Sequence, residues 1–310
     1  MRFGNTERGA MDLTGVFTVL QTPLTTADEF DEPIFQKEID WLIENQVDGV
    51  VLAMVSEVMR LSAEERRQQW QIVVKQVRGR IPVVASVGAE STHIATSLAR
   101  FAEADGVSAL MATPPTSFPA TNEEVFAYYT AIIESVKIPV IVQDASNYMG
   151  QPLEMSLYAQ LLEKYGNDRV QFKPEAKPVK ERMRQLQEVA GGKAKVFEGQ
   201  SGTDLLDTFP LGLVGTMPGS EVPWAIVALW NALKEDNWDF ARRIHEGILS
   251  LMKFQPTLDA YVAVEKYILV KQGIFTSTRQ RGPVGTHLSD ADKKGIDSCF
   301  DALKATVKAK

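Results

Sequence analysis

Residues 139–175 read PVIVQDASNYMGQPLEMSLYAQLLEKYGNDRVQFKPE. The opening PVIVQD and the closing VQFKPE are short, mostly apolar runs with the β-branched content of buried strands. Between them, residues 155–165 carry apolar side chains at helical spacing. A strand, a helix and a second strand in one segment predict a crossover unit of a parallel sheet, because parallel strands cannot be joined by a tight turn. The alternation extends in both directions. Upstream lie GVFTVLQ from Gly15, GVVLA from Gly49, PVVASVG from Pro82 and VSALMAT from Val107; downstream lie AKVFEG from Ala194 and LVGTMPG from Leu213. Helical patterns at 35–45, 63–77, 92–104, 123–136 and 179–189 fill the intervals, and Ser62 with Glu65 forms a capping-box signature. Eight strand candidates predict a (β/α)8 barrel. An open doubly wound sheet is the competitor, and its GxGxxG fingerprint after an early strand is missing.

After the eighth strand the pattern is helical only, at 225–233, 238–254, 260–272 and 290–307, with a break at Gly282, Pro283 and Gly285. The expected organisation is a barrel over 1–234 and a C-terminal helical region over 235–310. The 310 residues are 45% hydrophobic and 24% charged, which suits a chain with a large core and excludes a disordered one. Lys plus Arg is 33 against 40 for Asp plus Glu, so the net charge of −7 offers no general attraction to nucleic acid or anionic membrane. Cys299 is the sole cysteine, and no stretch approaches a membrane span or a signal peptide's apolar run, so a cytoplasmic protein is expected. His93, His245 and His287 lack metal-ligand spacing, and the acidic run at 28–32 reads as a solvated loop, so no metal is expected.

In such a barrel, reacting groups belong at the C-terminal ends of strands. That leaves Ser56 and Glu57 after the second strand, Gln143 and Asp144 at the fifth, Lys173 and Glu175 at the sixth, and Gln200 and Ser201 after the seventh. A lysine ending an apolar strand stands out, since an amine stripped of water becomes a nucleophile toward ketones. If the strand runs on through Pro174, its period of two sends Lys173 and Glu175 to one face. An ordinary strand-end ion pair fits the same pattern. Gln143 serves either a ligand or a neighbouring backbone, and Ser56 is equally a routine residue on the approach to a helix.

GVFTVLQTPLT, AMVSE before LSAEER, the lysine in VQFK, GLVGTMPG and the helical tail together make the chain similar to the dihydrodipicolinate synthase and N-acetylneuraminate lyase family. The resemblance spans almost the whole chain. It implies a class I lyase whose barrel lysine, here Lys173, forms a Schiff base with a 2-oxo acid, in a homo-oligomer, expected to be a tetramer. The departures narrow the branch. Met54, Val55 and Ser56 stand where synthases and lyases carry two threonine-like positions and a glycine. Gln143 replaces the tyrosine that ends the fifth strand, and Pro115 or Thr116 replaces a second tyrosine, so the family's hydroxyl relay is expected to be missing. LAMVSE, VQDAS and FKPE instead resemble the 2-keto-3-deoxy-L-arabonate dehydratase branch. That likeness implies dehydration without a cofactor, with Lys173 and Glu175 catalytic. It implies Ser56, Gln143, Gly199, Thr216 and Met217 as substrate-binding. A retro-aldolase releasing pyruvate, a deaminase of a hydroxyproline-derived cyclic imine and a non-catalytic 2-oxo acid sensor remain as alternatives.

Overall fold

Parallel pairing runs through eight strands in the order β6-β5-β4-β3-β2-β1-β8-β7. The strands are β1 (Gly15–Val19), β2 (Gly49–Leu52), β3 (Val83–Ser86), β4 (Ala109–Ala112), β5 (Val140–Asp144), β6 (Val170–Pro174), β7 (Phe197–Glu198) and β8 (Gly215–Thr216). A bridge between Phe172 and Val196, with the Phe172 amide donating to the Lys195 carbonyl at 2.9 Å, joins β6 to the approach of β7. The sheet is thereby a nearly closed (β/α)8 barrel. This computed structural model describes residues 13–117, 119–146, 148 and 150–309.

The crossover helices are α1 (Glu32–Glu44), α2 (Ala63–Val77), α3 (Thr92–Ala104), α4 (Asn122–Ser135), α5 (Met155–Tyr165), α6 (Val179–Val189), α7 (Leu205–Thr208) and α8 (Pro223–Lys234). Local chemistry sets their starts. Ser62 and Glu65 form the expected reciprocal cap, with the Ser62 oxygen 3.1 Å from the Glu65 amide and the Glu65 carboxylate 2.8 Å from the Ser62 amide. The acidic run at 28–32 departs from the solvated loop expected of it. Asp31 caps α1 by accepting from the Ile34 amide at 3.3 Å, and Asp28 meets Arg279 at 3.0 Å and Arg281 at 3.2 Å. The β7–β8 crossover is short: α7 is a single turn, followed by a 3-10 turn over Phe209–Leu211 that ends at Gly212, and the sequence reading named no helical pattern in this interval.

Side chains alternate between two cores. Val140, Val142, Val170 and Phe172 face outward into the layer under the helices, whereas Phe17, Ile141, Phe197 and Met217 face the barrel axis. Phe17 and Phe197 meet edge to face at 5.5 Å. A Cβ at Gly49 or Gly215 would strike these rings at 2.3 and 2.7 Å, so the glycines make room for the aromatic plug. Each such ring contributes about 1.5–3 kcal/mol by leaving water. With the barrel centre filled by apolar groups, polar side chains collect at its C-terminal mouth.

Three further helices, α9 (Trp238–Met252), α10 (Leu258–Lys271) and α11 (Asp290–Lys308), follow α8 and share one apolar cluster with it, including Ile226, Ile244, Val264 and Phe300. Glu57 ties this region to the barrel. It sits at φ 58° after β2, bonds the Lys266 ammonium at 2.5 Å and accepts from the Arg281 amide at 2.7 Å. Among the described residues no helix is long and apolar enough to cross a membrane.

Candidate active site

Strand register brings the first two functional groups together. Gln143 on β5 pairs with Lys173 on β6, and inward-facing Ile141 below Gln143 gives both side chains the direction of the mouth. Pro174 extends β6, so Glu175 follows Lys173 onto the same side. The Glu175 Oε1 lies 2.9 Å from Lys173 Nζ, and its Oε2 accepts from Gln143 Nε2 at 2.6 Å. All three groups are buried and line one pocket. Burial pushes the Glu175 carboxyl up from its ordinary range, against the opposing pull of Lys173 and the Gln143 hydrogen bond. Gln143 Oε1 has no partner, so an acceptor remains for a ligand hydroxyl.

Gly199 and Met217 also line this pocket. A Cβ at Gly199 would lie 2.7 Å from Lys173 Cε and 3.0 Å from Nζ, so the absence of a side chain makes space for the amine. Glu198 shapes the same loop by accepting from the Gln200 and Gly202 amides at 2.7 and 3.0 Å.

Two expected site residues are not brought to the pocket. Ser56 donates to the Leu20 carbonyl at 2.5 Å and accepts from the Ala53 amide at 3.0 Å, so its hydroxyl is spent on backbone; Ala53, Met54 and Val55 form that wall instead. Thr216 follows the parity of β8. Gly215 and Met217 face inward, and the Thr216 hydroxyl turns to Glu198 at 2.6 Å. Pro115 and Thr116 lie in a separate recess, where Thr116 bonds Glu90 at 3.0 Å. Asp144, pointing outward beside Gln143, accepts from the amides of Ser146 and Leu153 and shapes the following loop.

The sequence reading missed three pocket residues with polar side chains: Tyr148, Tyr261 and Glu265. The replacements at Gln143 and at Pro115 or Thr116 stand, and two phenols reach the pocket from other positions. Tyr148 comes from the β5 loop and meets Tyr261 edge to face at 6.0 Å, while burial raises the Tyr261 phenol. Leu258, Tyr261 and Glu265 fall at helical spacing on one face of α10, which lays that helix across the mouth.

Behind Glu265 stand two further buried acids, Glu38 and Glu221. Burial holds Glu38 at about 8, and it raises Glu221 and Glu265 as well. The folded chain therefore keeps the Glu38 proton between about pH 4.5 and 8, where the unfolded chain releases it. Stability is expected to fall as pH rises through that window and to level off above it. Glu38→Gln, which retains an oxygen for the Gln21 amide, should remove a loss on the order of 4 kcal/mol. Denaturant unfolding at pH 5 and pH 8.5 checks this; an unchanged pH slope in the variant would refute it.

The family model described as "Dihydrodipicolinate synthetase family" matches residues 12–302. The L-2-keto-3-deoxyarabonate dehydratase of Azospirillum brasilense is 25% identical over 275 residues, covering 87% of this chain and 88% of that enzyme. A 4-hydroxy-tetrahydrodipicolinate synthase of Nitratidesulfovibrio vulgaris is 32% identical over 245 residues, covering 76% and 80%. The solved 4-hydroxy-tetrahydrodipicolinate synthase of Methylacidiphilum fumariolicum SolV superposes with a TM-score of 0.86 at 23% identity, covering 96% and 98%.

Proposed function

Because the chain belongs to the dihydrodipicolinate synthetase family, we propose that it is a Schiff-base-forming lyase that dehydrates a 2-oxo-3-deoxy sugar acid, 2-keto-3-deoxy-L-arabonate, to 2-oxoglutarate semialdehyde. The observation that carries the reading is the buried chain Lys173–Glu175–Gln143, with contacts of 2.9 and 2.6 Å. A carboxyl lies beside the one amine that, among the described residues, opens on the pocket. The 25% identity to an arabonate dehydratase across most of both chains agrees with it.

In this reading Lys173 attacks carbon 2 of the substrate and water leaves, giving an iminium that acidifies the protons on carbon 3. Glu175 takes one of these protons, and the electron pair forms an enamine. The enamine expels the carbon 4 hydroxyl, which leaves as water after taking a proton from Glu175. Loss of a carbon 5 proton and protonation of carbon 3 give an enol, and loss of its hydroxyl proton with protonation of carbon 4 makes the terminal group an aldehyde. Hydrolysis returns the free lysine, so the net change is loss of one water. The lysine imine is the electron sink.

Tyr148 and Tyr261 favour a second reading, cleavage between carbons 3 and 4 to pyruvate and glycolaldehyde, because an aldolase needs a hydroxyl that exchanges protons with carbon 4 oxygen. Incubating the purified protein with 2-keto-3-deoxy-L-arabonate separates the two. An aldehyde dehydrogenase-coupled assay is expected to register 2-oxoglutarate semialdehyde; stoichiometric pyruvate with glycolaldehyde would establish the aldolase.

A further inference from the structure

Glu265 is fully buried, lines the same pocket as Lys173, and has no partner for its Oε1. Its other oxygen is fixed by Gln21 Nε2. The backbone opposite is shaped to accept it: a Cβ on Gly219 would lie 2.2 Å from Glu265 Oε1 and 2.6 Å from Glu221 Oε2. The two carboxyl groups thus converge on the wall at Gly219, and Glu221 Oε2 is also unpartnered. Gln255 holds the other Glu221 oxygen at 3.4 Å. The neighbouring Lys266 gives its direct contacts elsewhere, to Glu57 at 2.5 Å and the Arg279 carbonyl at 2.6 Å.

We propose that Glu265, reaching from α10, binds the distal hydroxyl of the substrate and makes the site selective for 2-oxo acids whose far end is an uncharged polyol rather than a carboxylate or phosphate. The inference rests on the Schiff-base reading and adds the specificity of that site. Among the described residues the pocket's lining holds one basic side chain, Lys173, which the imine engages. A substrate anchored there and carrying a second anion would bring it to a buried wall of carboxyl groups with no cationic side chain among the described lining residues to receive it. A hydroxyl, by contrast, both donates and accepts, so it satisfies a carboxyl oxygen in either protonation state. Leaving such a buried oxygen without a partner is costly, which turns the contact into discrimination.

Two five-carbon acids form the test, 2-keto-3-deoxy-L-arabonate and 2-oxoglutarate, which share the 2-oxo acid head and differ at the far end. The concentration giving half-maximal borohydride trapping on Lys173 is read for each. The wild-type protein is expected to trap the hydroxylated acid at about 100-fold lower concentration. Glu265→Met should bring this ratio to within about tenfold of one, whereas Glu265→Gln, which keeps a hydrogen-bonding amide, should preserve the preference. Equal trapping of the two acids by the wild-type protein overturns the proposal even where a variant fails to fold, and so does an unchanged ratio in a folded Glu265→Met. Trapping of no 2-oxo acid at all would remove the Schiff-base reading and this inference together.

Discussion

Lys173→Met is expected to lower turnover by on the order of 10,000-fold or more and to abolish borohydride-dependent labelling by any 2-oxo acid, while the protein still folds. Two lysines are buried among the described residues, and one of them lines the pocket. Lys266 is locked between Glu57 and the Arg279 carbonyl, outside the pocket. Lys173 opens on the pocket, with Gly199 leaving room at its terminal carbon. Lys177 and Lys180 are exposed, and Lys180 is engaged by Asp207 at 3.0 Å. The methionine variant keeps the volume of the side chain and removes the amine. It also removes the positive charge that pulls the Glu175 carboxyl down, so that carboxyl is expected to rise further. In the wild-type protein, mass spectrometry after reduction with pyruvate should place the added mass on the peptide spanning Lys173. A ligand-dependent adduct on another lysine, or full labelling of the variant, would end the assignment.

The parts of this molecule legible in the sequence are those set by local chemistry. Helices α2, α3, α5 and α6 run over the residues their patterns indicate, and strand period carries Lys173 and Glu175 to one side as expected. Parity also explains where the reading of single residues went astray. Thr216 lies between two inward positions and so faces out, and Ser56 sits on a tight turn whose backbone claims its hydroxyl. Glu265 and Lys266 look like a solvated pair when read alone. Their surroundings carry a signal, since Tyr261, Val262, Ala263, Val264, Ile268 and Leu269 are apolar all around α10, and a helix apolar all around is buried. Two charged residues inside it had to find partners in the interior. Tyr148 had no comparable signal, because its place is fixed by the path of a long loop after β5.

Glu175→Gln should keep borohydride trapping while turnover falls by about 100-fold to 10,000-fold. The amide retains a carbonyl oxygen for the Lys173 amine and can turn to suit Gln143, so imine formation keeps its geometry. What it loses is the ability to gain and release a proton. In the wild-type protein burial raises the Glu175 carboxyl, which under the proposed dehydration favours its keeping a proton from carbon 3 for the departing hydroxyl. Gln143 cannot substitute, because an amide has no accessible ionisation near neutrality. The tyrosines can be told apart from Glu175 by product. If Tyr148 or Tyr261 carried the proton transfer, Glu175→Gln would retain turnover, Tyr261→Phe would lose it, and pyruvate would accumulate with glycolaldehyde. If Glu175 carries it, the variant stalls as the trapped imine, and 2-oxoglutarate semialdehyde no longer forms although Lys173 remains fully reactive.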